Sequence, residues 1–406
     1  MRTKTSKIGF YLLAIFATMT LTVACSSDND NDGPTPPTEE ELTLQGSLST
    51  EKILLTGNTY KLEKGYHVKA GGSLVIQKGV TIEGQELSDD PDYILIEQGG
   101  KILAEGTKDQ PIVMTSKTKE AGAWGGVHIC GKAPINLQGG NGLSEIGNSP
   151  YGGNVANDNS GVMKYVRLEY TGFAFNADKE SNGLTMYGVG SGTQIEYVQT
   201  YKGADDGFEW FGGTVNGKYL VSTGSGDDSF DWTEGWIGKG QFWVAVQDAT
   251  DGDCLIEADN LSNNHLSTPI SFPTLSNLTL IGNNNADTKR GVRLRAGTHV
   301  KLYNALITGK NQGLTTETAE TAQSFFDGKS FLEYVHLSTV FDQKDGAINL
   351  NVAEGNAENQ SINFTNTYVG VVDGGKDLSS DSFFTKATYK GAVETSNDWT
   401  AGWTRK

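Results

Sequence analysis

The sequence predicts an all-β protein built as one right-handed parallel β-helix, a solenoid of stacked coils with loop insertions and a C-terminal cap. Three observations carry this. Short apolar strands recur along the chain with Gly, Asn or Asp close by. The composition is rich in glycine (52 residues) and poor in proline (9), as in many short strands joined by tight turns. And one heptapeptide returns after a single coil length, Ala204 to Trp210 (ADDGFEW) reappearing as Gly226 to Trp232 (GDDSFDW), an offset of 22 residues. At roughly 360 residues the body exceeds the usual single-core size without an evident linker, and a solenoid, whose core grows in one dimension, accommodates that length. A β-sandwich would explain the strands but not the unbroken length or the repeat.

The elements follow in chain order. Residues 1–24 carry Arg2, Lys4 and Lys7, then an apolar run from Ile8 to Ala24, the pattern of a secretory signal peptide. The run is short for a membrane span and is followed at once by polar sequence. Cys25, directly after Leu21-Thr22-Val23-Ala24, resembles the acylated cysteine of a bacterial lipobox, with Leu21 one place upstream of the commonest pattern; a plain secreted protein is the alternative. Residues 25–44 hold SSDNDNDGPTPPTEEE, acidic and proline-bearing, and are expected to be a disordered tether. An acidic stretch after the lipid cysteine resembles the surface-export signal of Bacteroidota lipoproteins, with the periplasmic leaflet as the alternative. Residues 45–406 are read as the single β-helix domain, with the cap at about 380–406.

Strands such as Ser73–Ile76, Tyr93–Ile96, Lys101–Ala104 and Gln194–Val198 mostly alternate apolar and polar residues, so one face can look inward. Residues 134–160, rich in Gly and Asn, read as a long loop able to shape a groove. Thr315 to Gly328 is the best candidate for a helix. Tyr389 to Trp403 is expected to cover the open end of the solenoid, which would otherwise pair edge to edge. Cys130 and Cys254 lie five or six coils apart in this arrangement, so both are expected as buried free thiols.

The repeat predicts a candidate metal site. One coil stacks Asp205 over Asp227, Asp206 over Asp228, Glu209 over Asp231 and Trp210 over Trp232, at about 4.8 Å per coil. Six carboxylates so confined repel one another unless neutralised, and Ca2+ takes six to eight oxygen ligands from such a set. Protonation, or turn chemistry with backbone N–H groups, are the alternatives for the aspartate pairs. Asp248, Asp251, Asp253, Glu257 and Asp259 continue the acidic wall. Trp210, Trp232, Trp236 and Trp243 fall within 34 residues. An indole is bulky for a narrow coil, so some of these are expected outside, as stacking surfaces for sugar rings. Arg293 and Arg295 share one strand face two to four coils away, as ligand contacts or as partners of neighbouring acids.

Several segments, LAEGTKDQPIVMTS, AGAWGGVHICGKAPIN, DDGFEWFGG with DDSFDW, and YKGAVETSNDWTAGWT, resemble a largely uncharacterised family of Bacteroidota surface or secreted β-helix lipoproteins over about residues 45–406. The resemblance implies a pectate-lyase-like β-helix and little about activity, since fold does not fix function. Without residues 1–24 the chain carries a charge of −20, which disfavours nucleic acid as a partner. No histidine lies between two glycines and the body has no Arg-x-Lys, which disfavours a polygalacturonase-like hydrolase. The leading expectation is a lipid-anchored outer-membrane protein facing the exterior that binds a glycan or similar extracellular ligand and feeds a TonB-dependent transporter. A calcium-dependent polysaccharide lyase or hydrolase is the first alternative, and a structural surface protein or adhesin the second.

Overall fold

The computed structural model describes residues 38–39, 41–86, 90–176, 179–285, 287, 290–343 and 353–406. The expected signal peptide, Cys25 and most of the tether lie outside the described residues. From Glu39 onward the chain forms one body. Among the described residues twenty-four strands join in a single sheet whose pairings are parallel, which is the right-handed β-helix. Cys130 and Cys254 are both buried and free.

The coil has three walls. One is the short strand met in Tyr93–Ile96, Val127–Cys130, Leu184–Tyr187, Phe208–Phe211, Phe230–Thr233, Ile256–Ala258, Arg290–Leu294 and Gln312–Thr316. The other two are separate strands early on, Lys101–Glu105 and Ile112–Ser116, and both pair with the two halves of the single bent strand Gly161–Glu169. Later coils keep that bent strand. Its corner is a stack of non-glycine residues in the left-handed region: Tyr165, Tyr197, Tyr219, Phe242, Asn277, Asn304 and Tyr334, with φ between 50° and 60°. Each such residue is disfavoured by contact of its Cβ with the backbone. Stacking offsets this, since the rings of Tyr165, Tyr197, Tyr219 and Phe242 lie in near-parallel contact at centroid distances of 4.4, 4.3 and 5.0 Å.

The interior columns explain where the tryptophans go. Trp210 sits in register with Trp232, and Phe208 with Phe230. All four, together with Trp236 and Trp243, are fully buried, which corrects the expectation that indoles belong on the outer wall. They fit because the facing wall is bare. A Cβ at Gly240 would lie 2.5 Å from the Trp243 ring, and one at Gly238 would lie 2.5 Å from Trp236 Nε1. The Trp210 and Trp243 rings stack at 5.1 Å with 4° between planes. Three of the four indole N–H groups find partners, Trp243 donating to Gly217 O at 2.9 Å, Trp236 to Val215 O at 3.0 Å and Trp232 to Thr298 Oγ1 at 3.0 Å, while the buried Trp210 Nε1 has none.

The C-terminal segment does not cover the open end. It lies along the outside of the bent strands. Asn304 and Asn277 donate to Lys376 O and Tyr389 O, both at 2.8 Å, while Lys218 donates to Phe383 O at 2.7 Å. Arg167 donates to Trp403 O at 2.9 Å, and Arg405 pairs with the buried Glu169 at 2.9 Å. Trp399 and Trp403 meet the tyrosine stack edge-on. The exposed aromatic corner is thus what the strap hides from water. The helix occurs where expected, at Ala319–Phe326.

Because Trp243 fills space that a glycine wall was shaped to leave, its loss opens a cavity. Trp243→Ala should cost about 3–5 kcal/mol in chemical denaturation, and a cost under ~1 kcal/mol would contradict the packing described here.

Candidate functional site

The strand wall that buries the aromatic stack carries its polar residues outward, by the two-residue alternation of a strand. Successive coils place Thr185, Glu209, Asp231, Glu257 and Arg293 in one outward column, in register at every step. A second column forms in the turns entering these strands. Gly183 N donates to Asp206 O at 2.8 Å and Gly207 N to Asp228 O at 2.9 Å, so Asn182, Asp206 and Asp228 follow one another coil by coil. The stacking expected from the repeat is therefore present.

Glu145, Glu180, Asp205, Asp206, Glu209, Asp227, Asp228, Asp231 and Glu257, with Asn182, line one cavity of about 240 Å³. Turn chemistry accounts for part of it. Asp206 Oδ1 accepts the Asp228 N–H at 2.8 Å, and Asp228 Oδ1 accepts the Cys254 N–H. Glu209 accepts a hydrogen bond from Asn182 Nδ2. Asp231 Oδ1, out of contact with water, has no hydrogen-bond partner. Asp206 and Asp228 are buried, Asp205 and Glu257 nearly so, and Asp227 is exposed at the mouth.

Burial and mutual repulsion dominate the electrostatics. Burial first, then Glu180 and Asp227, push Asp205 up to about 7; burial, then Asp253 and Glu257, push Asp227 up to about 6. Asp206, Glu209, Asp228 and Asp231 are held well above the usual carboxylate range, again by burial first. The leading neighbours are Asp228 for Asp206, Asp231 for Glu209, and Glu257 for both Asp228 and Asp231. Such a set either keeps protons or takes a cation.

The oxygens are close enough for the second option. Three triads, Asp205/Asp206/Asp227, Asp206/Glu209/Asp231 and Asp228/Asp231/Glu257, each bring one ligand atom per residue within 4.8 Å of the others. Two oxygens bound to one Ca2+ at about 2.3–2.6 Å lie at most about 4.6–5.2 Å apart, so these spacings are compatible with a shared ion. A fourth group, Asp228/Asp253/Cys254, is less suited, because burial holds the Cys254 thiol protonated and a thiol is a poor ligand for a hard cation.

Other expected site residues fall elsewhere. Trp210, Trp232, Trp236 and Trp243 face the core and cannot touch a ligand. Arg293 and Arg295 do flank the acids, one coil beyond Glu257, but both are engaged. Arg293 pairs with Glu257 at 2.7 Å and Glu317 at 3.3 Å, and Arg295 with Asp259 at 2.6 Å and also with Glu257. Burial disfavours the charge on Arg293, but Glu257 and Glu317 outweigh it and keep the guanidinium protonated. Glu145, Glu180 and Asn182 were not expected. Glu145 comes from the 134–160 loop, whose groove-shaping role was anticipated, whereas Glu180 ends a small hairpin, Ala174–Asn176 with Lys179–Glu180, that carries no sequence signal.

Residues 46–404 match the family model of the pectate-lyase-like β-helix domain. No curated protein and no solved structure matches the chain.

The raised carboxylate pKa values fix the sign of a pH effect. A carboxyl that binds its proton more tightly folded than unfolded stabilises the fold below its unfolded pKa and loses that contribution as pH rises through the folded value. In EDTA the Tm should therefore fall between pH 5 and 8, the window spanning Asp227 and Asp205. Asp205→Asn/Asp227→Asn should flatten the slope, and an equally steep slope in the variant would contradict the proposed origin.

Proposed function

Given that the chain belongs to the pectate-lyase-like β-helix family, we propose that it is an exported, lipid-anchored protein that binds an acidic glycan through divalent cations held on its outer wall. The observation that carries this is the cavity itself: nine carboxylates around about 240 Å³, with no cationic side chain among the lining residues. Calcium fits the donor set, since all its side-chain donors are hard oxygens. Asp206, Glu209, Asp231, Asp228 and Glu257 would hold it, and the open mouth beside Asp227 leaves coordination positions for carboxylates or hydroxyls of a ligand. Bound calcium would supply positive charge, which reconciles a body of charge −20 with a polyanionic partner. The leader, Cys25 and the acidic tether support export and anchoring, with the exterior face of the outer membrane and hand-over to a TonB-dependent transporter as the accompanying proposals.

Binding is favoured over cleavage for a specific reason. β-Elimination from a uronate needs an unprotonated base beside the cation site. Of the basic side chains near this one, Arg293 and Arg295 are held in ion pairs and Lys310 donates to Asp253 O at 2.6 Å, while Lys179 lies toward Glu145 at the far edge from Glu257 and Asp231. A purely structural role, in which calcium only pins the coils, is the competing reading and is separated by the same measurement.

Calorimetric titration of the EDTA-stripped protein with CaCl2, followed by polygalacturonate or alginate in calcium and in EDTA, tests the proposal. Calcium should bind and raise Tm, and glycan binding should appear only with calcium. Asp206→Asn/Asp231→Asn, which preserves shape, should weaken calcium binding by tenfold or more, about 1.4 kcal/mol. Calcium binding without glycan binding would leave the structural role; release of unsaturated sugars would establish a lyase; no calcium binding would remove the proposal altogether.

A further inference from the structure

A second cavity occupies the opposite edge of the same two coils. It lies past the C-terminal ends of Phe230–Thr233 and Ile256–Ala258, between the 134–160 loop and the chain after Asn260. Its volume is about 790 Å³, within the range of small-ligand sites. Its chemistry is the reverse of the acidic cavity. Asn136, Gln138, Asn263, Asn264 and Thr268 line it beside Leu137 and Leu266, and no ionisable side chain is among its lining residues.

The floor is built. Asn136 is 2% exposed and Asn260 fully buried. Asn136 Nδ2 donates to Asn260 Oδ1 at 2.7 Å and to Pro269 O at 3.1 Å, and Asn260 Nδ2 donates to His265 O at 3.0 Å and Ser267 O at 2.9 Å. These bonds pin the loop against the coil. Surrounded by acceptors on its nitrogen side, the Asn136 amide has one orientation, and that leaves its buried Oδ1 without any hydrogen-bond partner. An unmet buried acceptor costs about 1–3 kcal/mol, and this one lies within the floor, out of contact with solvent, beneath the polar groups that a bound molecule can reach. Above the floor, Gln138, Asn263 and Asn264 are exposed amides, each able to donate and accept, while Leu266 is 69% exposed. Uncharged groups that both donate and accept, beside an apolar side chain, match a ligand with many hydroxyls and C–H faces.

We infer that this amide-lined cavity is a second saccharide subsite, selective for uncharged sugar residues and independent of any cation. It rests on the glycan-binding reading for the class of its ligand, but not on calcium. From Asp231 to the strand end at Thr233 the wall advances about 7 Å, at about 3.3 Å per residue, and the chain then turns at Glu234 and Gly235, so one oligosaccharide could reach from the acidic cavity into the groove, its charged units held by the first and its neutral units by the second.

Saturation-transfer NMR and calorimetry with cellohexaose, xylohexaose and mannohexaose, all in EDTA, test this. At least one should bind. Gln138→Ala/Asn264→Ala, both at exposed positions, should weaken it about tenfold through loss of two hydrogen bonds, while Asp206→Asn/Asp231→Asn should leave it unchanged. Binding that survives the groove variant, or no binding by any of the three, would overturn the inference. A failed calcium titration with intact neutral-sugar binding would instead reject the cation proposal alone.

Discussion

Everything in this molecule depends on vertical registry. Parallel strands one coil apart are held about 4.8 Å from one another by their backbone hydrogen bonds, so a residue type used in one coil confronts its counterpart in the next. For apolar and aromatic side chains the confrontation is favourable, as in the Phe208–Phe230 pair, whose ring centroids lie 5.4 Å apart. For carboxylates it is unfavourable, and the strand lacks freedom to relieve it. The acidic column exists because the backbone fixes Glu209, Asp231 and Glu257 one above the other, whatever their charges prefer.

This geometry also explains how much could be read from the sequence. Strand alternation, the 22-residue offset and the stacking of the acids follow from period two and from one coil length, both local properties. The packing of indoles did not follow, because it depends on Gly217, Gly238 and Gly240, whose missing side chains matter only once another wall of the coil is known to face them. The same holds for the strap. The text of Tyr389 to Trp403 gives the expectation of a cover over the open end of the solenoid, against edge pairing. What it covers is a tyrosine corner assembled from Tyr165, Tyr197 and Tyr219, residues whose left-handed conformation no propensity indicates. Glu145 and Glu180 reach the cavity from insertions, where sequence distance bears no relation to spatial distance.

The two cavities owe their contrast to where insertions leave the coil. From Lys239 to Thr274 the chain takes 35 residues for one coil, against 22 from Gln194 to Asn216. Most of the excess forms the amide-bearing loop beyond Asn260. Side chains on such an excursion are free of the stacking rule, so Asn263, Asn264 and Leu266 need not resemble their neighbours one coil away. The acidic cavity is made mostly by the rule and the amide cavity by its exception, which is why one is uniform in chemistry and the other mixed.

Placement of the acids above the densest part of the core is the remaining coupling. The strands Phe208–Phe211 and Phe230–Thr233 alternate inward aromatic with outward acid, so Glu209 lies between Phe208 and Trp210, and Asp231 between Phe230 and Trp232. Full burial of each large aromatic side chain contributes about 1.5–3 kcal/mol or more. That gain is concentrated in the same two coils where repelling carboxylates destabilise the fold. A wall of small aliphatic residues would leave less margin against that repulsion. The aromatic stack therefore acts on the acids from the inner side of the wall: it holds Glu209 and Asp231 in a register their mutual repulsion would otherwise break.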